Sequence, residues 1–249
     1  MNKIERKAWT REELMLAINL YCRTPFGKID TSNPEIIALA HLLSRTPGSV
    51  SYKLANFASI DPSLPRKGAS NVSKLDKEVW NDFFASWNEM AYQSEMIASE
   101  IRGETLDSDE DISIPDGRMT ESIVKLRVNQ AFFRKMVLAS YDNSCCITGL
   151  PMSELLVASH IVPWARDTKN RTNPRNGLCL NTLHDKAFDV GLITIDEGYK
   201  LIASSRIRDI DPQKSRILSD YIGVKIRMPK RFLPDEEFLR YHRENVFRD

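Results

Sequence analysis

Between Glu100 and Glu121 the chain reads EIRGETLDSDEDISIPDGRMTE, with eight acidic side chains against two basic ones. A stretch so charged, interrupted by Pro115 and Gly117 and lacking an apolar period, buries too little surface to offset the entropy of ordering it. It therefore divides the chain. The expected organisation is a helical unit over residues 1–102, an acidic linker over 103–119 and a second unit over 120–249, in a chain of 249 residues long enough for two cores. The net charge of +1 conceals the same division. Residues 1–99 carry 12 basic and 11 acidic side chains, whereas residues 122–249 carry 21 and 15. That basic excess favours a polyanionic partner for the second unit.

The first unit reads as helices with local start signals. TREE is a capping box in which Thr10 caps and Glu13 reaches back, followed by Leu14, Ala17, Ile18 and Tyr21 at helical spacing. Asn33 before Pro34 opens a second helix with Ile36, Ala40 and Leu43 on its inner face. Thr46 before Pro47 opens a third, with Val50, Leu54 and Phe57 inward. A leading helix and two more joined by SRTPG is a helix-turn-helix-like layout, whose later helix would enter a DNA groove. Its outer face is expected to show Ser49, Tyr52, Lys53 and Asn56, with Arg45 near its start, as DNA-binding residues. The opening WTREEL is similar to the start of Myb-like DNA-binding repeats. A long helix from Ser73 towards Ile101 should bury Val79, Phe83, Trp87 and Met90.

Composition excludes several classes. With 42% hydrophobic and 28% charged residues the chain is neither disordered nor membrane-embedded. No apolar run approaches the ~18 residues of a bilayer span. MNKIERKAWTREEL is not followed by the apolar stretch of a secretory signal, so the expected location is cytoplasmic. Cys22, Cys145, Cys146 and Cys179 show no C-x-x-C spacing and are expected as thiols. A zinc site from Cys145 or Cys146 with Cys179 and His184 has weak spacing support.

The second unit should begin with a helix over about Thr120–Tyr141, burying Phe132, Phe133, Met136, Val137 and Ser140. Short strands follow at CCIT, LLVAS, GLCLN, LITID and YKLIAS, with one helix at TLHDKAFD. The order strand, loop, strand, helix places His160 at the end of one strand and His184 on the helix.

The segments RVNQAFFRKMVLASYDNSCCITG, LLVASHIVPW and NPRNGLCLNTLHDKAFDVGLITID together resemble the HNH endonuclease family, in the branch with an Ala/Ser-His-Ile-x-Pro-Trp core and a Leu-His-Asp helix. The resemblance covers residues 122–205, and the tail RFLPDEEFLRYHRENVF is similar to C-terminal extensions of such proteins. It implies an α+β chain in which a helical bundle precedes a ββα-metal nuclease unit. By the same resemblance His160 is the general base, suited by an imidazole pKa of ~6.5. His184 is a metal ligand, and Asn176 either orients the loop and His160 or ligates the metal. Asp185 is a further candidate ligand, although one step along a helix turns it about 100° from His184, and Asp189 lies about 140° away.

Two positions depart from the family pattern. Ser159 stands where many members carry Asp or His, and Phe188 where a further ligand sometimes lies. A centre with few protein ligands and several waters suits one Mg²⁺ or Mn²⁺ ion, with Zn²⁺ as the alternative. In the intervening loop Arg166, Lys169, Arg171 and Arg175 are expected to contact phosphates, and Trp164 to anchor the loop. His41 and His242 are expected to be surface or packing residues. The implied function is metal-dependent hydrolysis of DNA, of restriction or defence type, with DNA as partner and no membrane. A homodimer is open, because cutting both strands with one such centre takes two copies. The rivals are a non-catalytic DNA-binding regulator with a degenerate HNH domain, and an adaptor whose helical unit docks another protein.

Overall fold

The computed structural model describes residues 7–64, 69, 71–104 and 121–249. It is an α+β protein of two compact units, Met1–Asn129 and Gln130–Asp249. The expected acidic linker lies almost wholly outside the described residues. The division between the units falls within a helix, Glu121–Ser140.

The first unit is built on α1 (Arg11–Arg23), opened by the Thr10–Glu13 capping box. Every residue from Glu13 to Cys22 is buried, so α1 is enclosed on all sides rather than amphipathic. It is surrounded by α2 (Pro34–Leu42), α3 (Pro47–Ile60), α4 (Lys74–Ala85) and α5 (Trp87–Arg102). Asn33 and Thr46 cap α2 and α3 through their side-chain oxygens, and the expected inward residues of both are buried.

Two expectations for this unit need correction. The helix expected from Ser73 to Ile101 is broken at Ser86 into α4 and α5. One continuous helix of that length would run about 40 Å, too long to fold back on a small bundle. Trp80, Phe84 and Trp87 gather at the break, with ring centroids 4.1 and 4.4 Å from Phe84, and α5 returns along α1.

The outer face expected for α3 is not exposed. Lys53 is buried, its Nζ 2.8 and 3.0 Å from the two carboxylate oxygens of Asp76 on α4. Asn56 is buried too. Arg45 is paired with Glu13 at 2.6 Å, donates to the Ala8 carbonyl and stacks 4.1 Å above Trp9. Ser49 is half-buried, and Tyr52 alone of the expected set is exposed. The reason is non-local: α4 and the segment before α1 cover the face that three helices alone would have left open.

The second unit holds the C-terminal part of α6 (Glu121–Ser140), then β1 (Leu156–His160), β2 (Gly177–Asn181) and α7 (Thr182–Asp189). β1 and β2 are antiparallel, with His160 opposite Gly177 and Leu156 opposite Asn181. α7 packs on both strands. A second antiparallel pair, β3 (Ile193–Ile195) and β4 (Leu201–Ala203), follows. Then come α8 (Ser205–Arg208), α9 (Pro212–Ser219) and α10 (Glu236–Asn245). CCIT is a turn, not a strand. Gly149 takes a positive φ of 76°, and its N–H closes back on the Cys145 carbonyl at 2.8 Å.

The core joins Phe133 and Val137 of α6 to Leu178, Cys179 and Leu180 of β2, Phe188 of α7, and Leu239 of α10. Gly177 lets α6 approach, since a Cβ there would overlap the Val137 side chain. His242 of α10, expected as surface or packing, is buried. Its ring stacks on Phe188 with centroids 3.6 Å apart, and its nitrogens meet the Phe188 carbonyl and the Thr194 hydroxyl. His41 is exposed. Among the described residues no helix is long and apolar enough to cross a membrane.

Candidate active site

β1 delivers His160 at its last residue, beside the start of β2. Its ring lies flat on Phe133, with centroids 3.9 Å apart and planes 13° apart, and Trp164 meets it edge-on at 5.3 Å. His160 Nε2 is 2.9 Å from the Arg171 carbonyl oxygen. A carbonyl only accepts, so Nε2 carries the proton and Nδ1 keeps its lone pair. Nδ1 has no hydrogen-bond partner among the described residues. Burial lowers the pKa of His160, and the Arg171 charge adds to this, while the Arg171 carbonyl and the Asp185 carboxylate work the other way. The result is an imidazole that stays neutral near pH 7, the form a general base needs. α7 packs on β1 and β2, the strand pair that delivers His160.

The loop from Ile161 to Asn176 is held by its own side chains. Asn176 is buried, and its Oδ1 accepts from the Val162 N–H at 2.8 Å. Its Nδ2 donates to the Val162 and Asn170 carbonyls, and its own carbonyl accepts from Ile161 N–H at 3.0 Å. Of the two roles open to Asn176, this geometry supports orientation of the loop. Both amide atoms are spent on backbone, leaving the ligand role without support. Asp167 accepts from the backbone N–H groups of Lys169 and Asn170.

The four loop cations divide into two kinds. Arg171 donates from Nε to the Trp164 carbonyl, its guanidinium lies 5.0 Å over that indole, and its own carbonyl holds His160. Arg175 pairs with Asp235 at 3.0 Å and donates to the Leu233 carbonyl. Both hold the loop in place. Arg166 and Lys169 are exposed and outside any ion pair among the described residues.

α7 delivers His184 in its first turn. His184 is fully buried. Its Nδ1 lies 2.9 Å from Asn181 Oδ1, and the Tyr221 ring meets it edge-on at 5.7 Å. Its Nε2 is buried with no hydrogen-bond partner, as is Ser159 Oγ. Burial lowers the pKa of His184. Asp185 is half-buried and Asp189 exposed.

Whether a divalent ion suits these residues is decided by the donors. Among the described residues no group of three or more His, Cys, Asp or Glu side chains could enclose one. The zinc arrangement of Cys145 or Cys146 with Cys179 and His184 is therefore absent there. All three thiols are buried, and burial pushes Cys146 well up and Cys179 up to about 12, away from the thiolate a metal needs. His184 Nε2, by contrast, is a neutral nitrogen with an unspent lone pair in a dry environment. Among the described residues this leaves one candidate nitrogen donor, suited to an open site, and none of the further donors of a closed cage.

Sequence reasoning missed three partners here. Phe133 as the platform of His160 was seen only as a core residue. Asn181 had a local signal, an Asn three residues before His184 at a strand–helix junction. Tyr221 had none, because it arrives from the far side of α9.

Comparison with known proteins follows the same segment. Residues 145–196 match the family model described as HNH endonuclease. A comparison with curated proteins finds no match. A solved structure described as a modification dependent TagI restriction endonuclease is 20% identical over 47% of this chain, with a TM-score of 0.31. This chain covers 38% of that one. Residues 145–196, with β1, β2, α7 and β3, form a domain of the HNH endonuclease family.

Proposed function

We propose that this chain is a metal-dependent DNA endonuclease whose centre lies between the end of β1 and the first turn of α7. The carrying observation is that the two site histidines are each tied by one nitrogen and free at the other. His160 Nδ1 takes the proton of a water as its oxygen forms a bond to the scissile phosphorus and the bond from phosphorus to the 3′ oxygen breaks. The carbonyl of Arg171 holds the ring during this transfer and stabilises the imidazolium that results. His184 Nε2 would hold the divalent ion, Mg²⁺ or Mn²⁺ before Zn²⁺. When bound, that ion supplies Lewis-acid neutralisation of charge on the phosphate and on the departing oxygen. Asn176 keeps the loop closed behind His160. Arg166 and Lys169 contact the phosphates flanking the cut.

A restriction or defence role suits a cutting unit joined to a separate helical unit. A homodimer would bring two centres to the two strands. Arg45, Lys53 and Asn56, buried or paired, lend DNA recognition by the helical unit no support. The second reading, a DNA-binding regulator with a degenerate centre, is favoured by one observation: no enclosing ligand cluster among the described residues.

Incubation of the protein with supercoiled plasmid and Mg²⁺ or Mn²⁺ decides between them. The nuclease reading expects nicking that EDTA abolishes and that His184→Ala reduces while still shifting DNA on a gel. A protein that shifts DNA but never nicks it under any of these ions is the regulator.

A further inference from the structure

Asn181 stands at the junction of β2 and α7, and its single side-chain oxygen serves two atoms of the same residue. Oδ1 accepts the backbone N–H of His184 at 3.0 Å and lies 2.9 Å from His184 Nδ1. The first contact is ordinary helix capping. The second has no part in forming a helix. An amide oxygen has no proton to give, so the contact requires a proton on Nδ1, and a neutral ring then carries its lone pair on Nε2. That nitrogen is buried and unpartnered. On the far side the Tyr221 ring stands nearly perpendicular to the imidazole, at 81°. A flip that brought Nε2 to Asn181 would exchange the nitrogen left in the buried position.

We propose that Asn181 is a positioning residue that fixes the tautomer of His184 and so sets the affinity of this chain for a divalent ion. The tautomer part stands on the contact alone, and the affinity part rests on the nuclease reading above. Partners that orient and polarise a ligating histidine in this way commonly change metal affinity by about 10–100-fold when removed. The same position caps α7, so a useful variant must keep the cap and lose the ring contact. Asn181→Ser does this, because serine caps comparably but is one atom shorter. Asn181→Asp retains both contacts and adds a charge that draws the Nδ1 proton more strongly.

The test uses the full chain, labelled with ¹⁵N, without and with Mn²⁺. In metal-free wild type, long-range ¹H–¹⁵N spectra are expected to show His184 protonated at Nδ1 and bare at Nε2. Asn181→Ser should melt at the wild-type temperature, show a mixture of His184 tautomers and bind Mn²⁺ about tenfold or more weakly. Asn181→Asp should bind Mn²⁺ at least as tightly as wild type. A wild-type proton on Nε2 would overturn the proposal, as would an Asn181→Ser chain with unchanged tautomer and unchanged Mn²⁺ affinity. Wild type that binds no Mn²⁺ would overturn the metal role of His184 itself. The tautomer spectrum separates that failure from a failure of the Asn181 contact.

Discussion

Helix α3 and the loop from Ile161 to Asn176 make the same offer in sequence, cations and amides on the surface of a small unit, and the fold treats them in opposite ways. On α3 and at its approach the two cations are consumed internally: Lys53 by Asp76, Arg45 by Glu13 and Trp9. In the loop Arg171 and Arg175 are consumed likewise, and in holding the backbone they leave Arg166 and Lys169 exposed and His160 Nδ1 free. Residue type alone does not mark a site. What distinguishes the loop is an imidazole with one nitrogen tied and the other open beside two exposed cations, since a buried polar atom without a partner also occurs at Asn56 Oδ1 of α3.

The sharpest way to break this contrast is at the buried ion pair of the helical unit. Asp76→Ala strands the Lys53 ammonium in a dry site and removes the N3 half of the α4 capping box. The expected cost is about 3–5 kcal/mol, read as a lowered denaturant midpoint at unchanged slope. DNA affinity of the folded protein should not change. If Lys53 were instead a DNA contact, Lys53→Met would weaken binding without the accompanying structural role.

The histidines sharpen the same comparison. His242 has both nitrogens committed and its ring stacked, which makes it a structural residue by the same criterion that makes His160 and His184 the candidates for chemistry. Burial lowers its pKa to about 4. It is neutral in both folded and unfolded chains well above pH 6.5, so it leaves stability there unchanged. As pH falls from about 6.5 to about 4 the unfolded chain takes up a proton that the folded one refuses, and stability is lost by up to about 3 kcal/mol. Melting temperature followed over that range should fall less steeply in His242→Gln than in wild type. An equal slope would mean that His242 is protonated in the fold.

Most of what was legible in the sequence was local. Thr10, Asn33 and Thr46 announce their helices because a cap and the N–H it serves lie within three residues. TLHDKAFD and GLCLN fall at α7 and β2 residue for residue. The break at Ser86 was not legible, since no Gly or Pro marks it and aromatic packing sets it. The cover over α3 was not legible either, because Asp76 comes from a distant stretch of chain. For the site, the linked motifs named His160, Asn176 and His184. They could not show which nitrogen of each ring is spent, because that depends on the Arg171 carbonyl and on Asn181. Tyr221 was beyond reach, brought to His184 by the fold alone.

The smallest expected effect separates the two kinds of loop cation. Replacing both Arg166 and Lys169 with Ala should weaken DNA binding and reduce the slope of log affinity against log salt by about 2, roughly one per phosphate contact. Stability should stay within about 0.5 kcal/mol of wild type, as for surface changes elsewhere. Unchanged salt dependence would move the phosphate contacts to another face.

The most direct measurement is the single-turnover cleavage rate of His160→Ala beside wild type at saturating Mg²⁺ or Mn²⁺. With Nδ1 as the base, the rate should fall by about 10²–10⁴-fold while DNA affinity remains. Cleavage by His160→Ala at the wild-type rate would contradict it.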